Sequence, residues 1–265
     1  MTYNDMRIVL TGASSGIGAA LARQLAAEGA RLVLAARNED NLAAVAKTCH
    51  ELGGETLVVP TDVTDQAQCQ ALIGRAVAAW GGLDALFLNA GVSMWSRFED
   101  VTDITFFERI MAVNYFGVVY CTHYALPHLQ ATRGRLVVVT SSAAKTGAPL
   151  HSGYAASKHA VHGFFDALRA ELLGSGVSIT LAVPMFVRTD IRLHGFQGDG
   201  SHPKTDPYDD SKSMSADEAA RITIKAARKR KREVLMTLEL QAAVKLRPFV
   251  PGLIDRIARR KVGLD

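Results

Sequence analysis

An α/β fold, with a doubly wound parallel sheet and helices on both of its faces, is the architecture that this 265-residue sequence predicts. Three observations carry that expectation. Apolar runs of strand length alternate with helix-length segments almost from end to end, as they must where each parallel strand returns through a crossover helix. The runs are continuous rather than alternating, as for strands covered on both faces. The length suits one large domain, and with 48% apolar and 21% charged residues the chain can bury a sizeable core. That composition excludes extended disorder, and no apolar run reaches the ~18 residues needed to cross a bilayer.

The first strand, residues 7–10, runs into Thr11-Gly12-Ala13-Ser14-Ser15-Gly16-Ile17-Gly18 and a helix over 16–28. Gly12 permits a tight turn, Gly16 lets the backbone approach a phosphate, and Gly18 allows close helix–strand packing. The helix N-terminus then offers unpaired N–H groups and positive potential to a pyrophosphate. Three glycines alone are a weak signal; between a strand and a helix, at the first crossing of an alternating chain, they read as a dinucleotide-binding turn. Gly12 to Gly16 also matches the G-x-S-x-G elbow of hydrolases, but too few residues precede it to supply the upstream strand and second oxyanion donor. The second strand, 31–35, ends at Ala35-Ala36-Arg37. An acid here would bind the ribose 2′-hydroxyl of NAD, whereas Arg37 supplies a guanidinium fork suited to a 2′-phosphate, so NADP is favoured.

Helices over 39–52, 66–80 and 104–131 alternate with strands at 56–59, 85–88 and 135–140. Just past the fifth strand stands Ser141; thirteen positions on is Tyr154, with Lys158 on the same face of a helix over 152–174. A phenol titrating near ~10 is a poor acid–base catalyst at neutral pH, but a nearby ammonium and a cationic nicotinamide both favour phenolate. A Tyr/Lys pair at helical spacing is common on surfaces and alone decides nothing. The sixth strand spans 177–183. Residues 190–214, rich in Gly, Pro, Asp and Ser, break the rhythm and read as a long mobile loop. Ser215-Ala216-Asp217-Glu218 opens a helix over 216–230 with a capping pattern, before a last strand at 233–237.

From about 238 the chain is a tail, whose 251–262 stretch places Leu253, Ile254, Ile257 and Ala258 opposite Arg256, Arg259, Arg260 and Lys261. Such a helix can cover a substrate entrance, dock on a neighbouring subunit or lie on an anionic membrane. Docking on protein is the first expectation, because one three-turn helix has little apolar area to offer lipid. The chain thus divides into residues 1–240, a catalytic domain with a substrate loop at 190–214, and an amphipathic tail, 241–265, packed on that domain or on a partner subunit.

The formal charge is +4, and sixteen Lys/Arg against eleven Asp/Glu place the basic excess in residues 190–265. The run from Lys225 to Arg232 raises nucleic-acid binding, yet no aromatic platform interleaves it, and cations ending a helix complement its dipole; no nucleic-acid partner is expected. Three cysteines without C-x-x-C spacing read as reduced thiols. His151, His159 and His162 lack a completing carboxylate or cysteine, so no metal is expected. No export signal is visible, and the cytoplasm is the expected location.

Taken together, these residues resemble the short-chain dehydrogenase/reductase family: the glycine turn at 11–18, Asp62-Val63, Asn89-Ala90-Gly91, Asn114, Ser141, Tyr154 with Lys158, and Pro184 with Thr189, in the family's order and spacing. The resemblance covers roughly residues 5–237 and implies a single Rossmann-type domain with a seven-stranded parallel sheet. It implies that Tyr154 is the catalytic acid/base, that Ser141 holds the substrate carbonyl, that Lys158 binds the nicotinamide ribose and lowers the tyrosine pKa, and that Asn114 holds a water in the proton relay. NADP would meet Gly12, Ser14, Ser15, Gly16, Ile17, Gly18, Arg37, Asp62, Val63, Asn89, Ala90, Gly91, Tyr154, Lys158, Pro184, Val187 and Thr189. Two departures stand out: Leu88 replaces the family's first Asn, and Met185 replaces the Gly that usually follows Pro184. By the family's layout the substrate wall comes from Met94, Trp95, Leu150, His151, Met185, Phe186 and Phe196, an apolar, adaptable lining that suits a lipophilic ketone or aldehyde. A homodimer or homotetramer is expected, with weak peripheral membrane contact through the tail as a further possibility. The alternative to a carbonyl reductase or alcohol dehydrogenase is a catalytically silent NADP-binding scaffold, which would have no reason to keep Asn114, Ser141, Tyr154 and Lys158 together.

Overall fold

A computed structural model describes residues 2–205 and 213–264. Seven strands form one parallel sheet: β1 (Arg7–Thr11), β2 (Arg31–Ala36), β3 (Glu55–Pro60), β4 (Ala85–Leu88), β5 (Arg135–Val139), β6 (Ser178–Val183) and β7 (Glu233–Leu235), ordered β3-β2-β1-β4-β5-β6-β7. The chain winds outward from β1 to β3, crosses back to β4 beside β1, and winds outward again to β7. The reversal between β1 and β4 leaves a crevice at the carboxyl ends of the strands, where doubly wound sheets bind ligands. Central register pairs Val9 with Val33 and Leu86.

Alternation along each strand divides the core into two layers. Val9, Val33, Leu86 and Val138 point to one face, packing with Leu72, Cys121, Leu129 and Phe165 of the helices α3 (Gln66–Trp80), α5 (Gly117–Thr132) and α6 (Ser152–Glu171). Ile8, Leu10, Leu32, Leu34, Phe87 and Val137 point to the other, packing with Leu21, Leu25, Leu42 and Ile224 of α1 (Gly16–Ala26), α2 (Glu39–Glu51) and α7 (Ala216–Arg228). Both faces are therefore covered, which is why the strands read as unbroken apolar runs. All three cysteines are buried and free.

Two elements depart from the sequence expectation. The helix expected over 104–131 is interrupted: α4 (Phe106–Met111) passes through a π turn (Ala112–Phe116) into α5. One extra residue in a turn leaves the apolar spacing nearly unchanged, so periodicity does not show it. The strand expected over 233–237 stops at Leu235, because the Thr237 hydroxyl accepts from the Leu240 amide at 3.1 Å and caps a new helix, α8 (Leu238–Leu246). α9 (Pro251–Lys261) follows. Ser215 caps α7 through the Glu218 amide at 3.1 Å.

The loop expected over 190–214 is pinned where it is described: a bridge joins Met94 to Phe196, and another joins Val187 to Met214. Its residues 206–212 lie outside the described residues. The basic run after Lys225 is engaged within the fold, since Arg228 pairs with Glu28, and Arg230 donates to the carbonyls of Gly176 and Arg133, each at 2.7 Å. No described helix is long and apolar enough to cross a membrane.

Candidate active site

The glycine turn is built by three different constraints. Gly12 and Gly16 have φ of +64° and +52°, a left-handed backbone that other residues adopt at a cost. Gly18 is held by space, because a Cβ there would lie 1.9 Å from the Gly12 carbonyl oxygen and 2.6 Å from Asn89 Nδ2. Asn89 Nδ2 donates to that same carbonyl at 3.0 Å, and Thr11 Oγ1 accepts from the amides of Asn89 and Ala90 at 3.1 and 3.2 Å. The turn after β1 and the segment after β4 are thus stitched together across the switch point. Ser15 makes no side-chain cap at the start of α1, so the first amides of that helix face the cleft without a capping oxygen. A Cβ at Gly16 would press Thr189 Cγ2 at 3.0 Å, so glycine lets the turn lie this close to the segment after β6. These features fit a dinucleotide. Ala36 and Arg37 border the same cleft with Asn38, Asp62 and Val63, and Arg37 is exposed on its rim.

At the other end of the cleft, Ser141 leaves β5 and Tyr154 and Lys158 stand on the first turns of α6. Ser141 stands beside Tyr154 and favours its phenolate, and its Oγ accepts from the Ala143 amide at 3.2 Å, which fixes its rotamer. Lys158 is buried, with its Nζ 5.6 Å from the Tyr154 ring centroid and 3.4 Å from the Val139 carbonyl oxygen. Burial dominates the electrostatics. It pushes the Tyr154 phenol above its ordinary value, opposed by the Ser141 hydroxyl, and it pushes the Lys158 ammonium down to about 8. In the protein by itself burial raises the phenol; the sequence reading joins the Lys158 ammonium to a cationic nicotinamide, and it is the two charges together that would lower it.

Asn114 is fully buried on the π turn. Its Oδ1 accepts from the Val92 amide at 2.8 Å, and its Nδ2 donates to the Val92 carbonyl and to Ser157 Oγ, both at 2.9 Å. Ser157 Oγ in turn donates to the Tyr154 carbonyl at 2.7 Å. Asn114 therefore ties the segment after β4 to the catalytic helix from behind, and a Cβ at Gly91 would meet Asn114 Oδ1 at 3.2 Å and Lys158 Nζ at 3.5 Å.

The cleft is a cavity of about 960 Å³ that runs from the glycine turn past Tyr154 to the tail. Gly12, Ser14, Ser15, Gly16, Ile17, Asp62, Val63, Asn89, Ala90, Gly91, Pro184, Val187 and Thr189 lie on its wall, together with Ser141, Tyr154 and Lys158. Gly18 and Asn114 sit behind that wall. Of the residues proposed for the substrate, Trp95, His151, Met185 and Phe186 line the cavity, and Trp95 meets His151 edge-on at 5.1 Å. Burial lowers the His151 pKa, with Arg192 adding to the effect, so a neutral imidazole faces the cavity.

Met94, Leu150 and Phe196 are placed elsewhere. Met94 and Phe196 belong to a satellite core with Phe106 and Ile110, where Phe196 stacks on Phe106 at 5.5 Å under the Arg109 guanidinium. Leu150 takes a left-handed φ of +66° and serves through its backbone, its carbonyl accepting from the Ser96 amide at 3.0 Å. Their places on the wall are taken by Ile191 and Arg192 of the loop and by Leu240, Ala243 and Leu246 of α8, which no motif marked, and by Ile254, Ile257 and Ala258 of α9, which belong to the apolar face read in the tail. Lys261 bonds Glu239 and lies 5.8 Å from the Phe186 ring centroid, drawing the end of α9 across the opening. Among the described residues, no group of three His, Cys, Asp or Glu side chains could hold a metal ion.

A doubly wound parallel sheet with a glycine turn at its switch point and a Ser–Tyr–Lys group beside the same cleft defines an oxidoreductase of the Rossmann type. Residues 6–198 match the family model of the short chain dehydrogenases, and the chain belongs to that family. It is 35% identical over 258 residues to an 11-beta-hydroxysteroid dehydrogenase A of Sesamum indicum, covering 95% of this chain and 74% of that one. It is 42% identical over 185 residues to an 11-beta-hydroxysteroid dehydrogenase-like protein of Arabidopsis thaliana, of which it spans 60% of the length. Among solved structures, a short chain dehydrogenase/reductase of Burkholderia phymatum in complex with NAD superposes with a TM-score of 0.84, at 29% identity and 96% coverage of both chains. An alcohol dehydrogenase of Thermococcus sibiricus complexed with 5-hydroxy-NADP gives 0.74 at 26% identity, covering 87% of this chain and 95% of that one.

Proposed function

We propose that this chain is an NADP(H)-dependent oxidoreductase that interconverts a carbonyl and an alcohol by hydride transfer on a lipophilic ketone or aldehyde. The observation that carries this reading is the buried Tyr154, with Ser141 and Lys158 beside it, in the same cavity as the glycine turn and Arg37. The nicotinamide, when bound, supplies or accepts the hydride. The chain supplies the rest. The turn and the N-terminus of α1 hold the diphosphate, and Arg37 takes the 2′-phosphate that the missing carboxylate at Ala36 leaves unopposed.

Ser141 Oγ positions the carbonyl oxygen beside the Tyr154 hydroxyl, which delivers the proton in reduction and receives it in oxidation. Lys158 keeps a positive charge next to the phenol, favouring phenolate after the proton has left. Asn114 holds the helix that carries both. Relatives named for hydroxysteroid dehydrogenation, and an opening lined by Leu240, Leu246 and Ile257, support a lipophilic substrate.

A panel of ketones and aldehydes, followed by loss of reduced-nicotinamide absorbance, tests the reaction. Tyr154→Phe should abolish turnover and keep NADPH binding, since only the transferable proton is lost. Substantial activity in that variant overturns the mechanism. NADPH should bind at least ~10-fold tighter than NADH, the ~1.4 kcal/mol expected of one charge-assisted phosphate contact, and Arg37→Ala should erase the difference.

A further inference from the structure

An amphipathic helix buries its apolar face and turns its polar face to water. The α8–α9 hairpin does more than this. Its inner residues Leu240, Ala243, Ile254 and Ala258 line the cavity, yet six large apolar side chains of the same hairpin are exposed: Leu238, Leu246, Phe249, Val250, Leu253 and Ile257. Phe249 and Leu238 are each 82% exposed. Leu246 and Ile257 belong to both sets, since they line the cavity and are 50% and 41% exposed. The apolar wall of the cavity therefore continues through its mouth onto the molecular surface, where Phe249, Val250 and Leu253 extend it.

Charge around this surface is mainly positive. The hairpin carries Lys245, Arg247, Arg256, Arg259, Arg260 and Lys261 against Glu239 and Asp255, and Glu239 is already paired with Lys261. The sequence sets Leu253 and Ile257 with Ile254 and Ala258 against the cations. In α9, however, Ile254 is the buried residue, and Leu253, Arg256, Ile257 and Arg260, at i, i+3, i+4 and i+7, put cations and exposed apolar side chains on one face. A two-fold contact between copies would set this cationic face against itself. An anionic lipid surface takes both features at once, with apolar side chains below the headgroups and the long basic side chains reaching back to them.

We propose that the α8–α9 hairpin docks the mouth of the cavity on an anionic bilayer, so that a lipophilic substrate passes between bilayer and active site without crossing water. The identity of the cargo rests on the function proposed above; the docking does not. Leu238 and Leu246 of α8 and the Phe249-Val250 turn add exposed apolar side chains to those of α9, so the hairpin offers more apolar area than one short helix.

The test is sedimentation of the full chain with phosphatidylcholine vesicles, with and without roughly one-third phosphatidylserine. The protein should sediment with the anionic vesicles, less so as salt is added, and at least ~10-fold more weakly with the neutral ones. Phe249→Ser with Leu253→Ser, neither of which lines the cavity, should weaken anionic-vesicle binding at least ~10-fold and leave NADPH-dependent turnover of a small water-soluble aldehyde unchanged. Lys245→Gln with Arg256→Gln should weaken anionic-vesicle binding and reduce its salt dependence. Failure to sediment with anionic vesicles, or wild-type binding by the serine variant, overturns the proposal. So does a halved solution mass in that variant, which would make a second copy the occupant. Vesicle binding as stated in a chain that reduces no carbonyl would leave the docking standing and overturn the function instead.

Discussion

Lys158 places a cation in a largely buried position on the cavity wall, and burial sets its effect on stability. Its folded pKa of about 8 lies below the ordinary 10.5. Between those values the unfolded chain holds a proton that the folded chain has released, so stability rises with pH across that window. Below it both states are charged and the fold carries the full desolvation cost, on the order of 3 kcal/mol. Lys158→Met should therefore raise the urea midpoint at pH 7 while abolishing turnover, and the gain should fade toward pH 10; a variant less stable than wild type at pH 7 would show that the ammonium is not a net cost. At this scale the site was partly legible. Tyr154, Lys158 and Ser141 are marked by spacing that chemistry demands, and Gly12, Gly16 and Gly18 by backbone that only glycine accommodates. Arg192 and Ile191 carry no such mark, because a loop brings them to the wall without periodicity. Met94 and Phe196 were assigned to the wall by layout, and a satellite core takes them instead, as it more often does with large apolar side chains.

Elements show the same division. Each strand announces itself because both faces are buried, and the sheet order follows from the crossovers. The π turn at Ala112–Phe116 is silent in sequence, although it is the element that presents Asn114 to the segment after β4. The capping of α8 by Thr237 is equally silent, because Thr fits the end of a strand as well as the start of a helix. That helix and α9 wall the substrate end of the cavity, so the tail's contribution is separable from the cofactor's. Truncation after Pro248 removes Ile254, Ile257 and Ala258 from the wall. Losing that apolar contact should raise KM for a bulky ketone by ~5-fold or more, about 1 kcal/mol, with little change for a small aldehyde. NADPH affinity should stay within about two-fold, since the glycine turn and Arg37 lie at the opposite end. Equal changes in KM for large and small substrates would show that the tail supports the fold as a whole rather than the wall.

Assembly belongs to the whole molecule, and one surface other than the tail bears on it. On the outer side of the π turn and α5, Phe116 is 45% exposed and stacks with Tyr120 at 6.1 Å, while Tyr115 packs edge-on to both Phe116 and Phe164 of α6. Aromatic side chains in a row on two adjacent long helices are costly to leave in water and well suited to a self-complementary contact. This surface lacks the concentrated positive charge of the α8–α9 hairpin, so two copies can meet across a two-fold axis without repulsion. We therefore expect a dimer or tetramer built on α5 and α6, in which the helix carrying Tyr154 and Lys158 is buttressed by its counterpart. Light scattering on the purified chain at micromolar concentration should give a multiple of the single-chain mass. Phe116→Asp should shift that mass toward one chain by placing like charges opposite each other in the contact. Because Asn114 lies two residues away on the same π turn, separation of the copies should also slow turnover, and a monomeric variant with full activity would show that the aromatic row serves only solubility or packing. Such an assembly leaves the tail surface outside the interface, so vesicle binding and mass should respond to different substitutions: the first to Phe249 and Leu253, the second to Phe116.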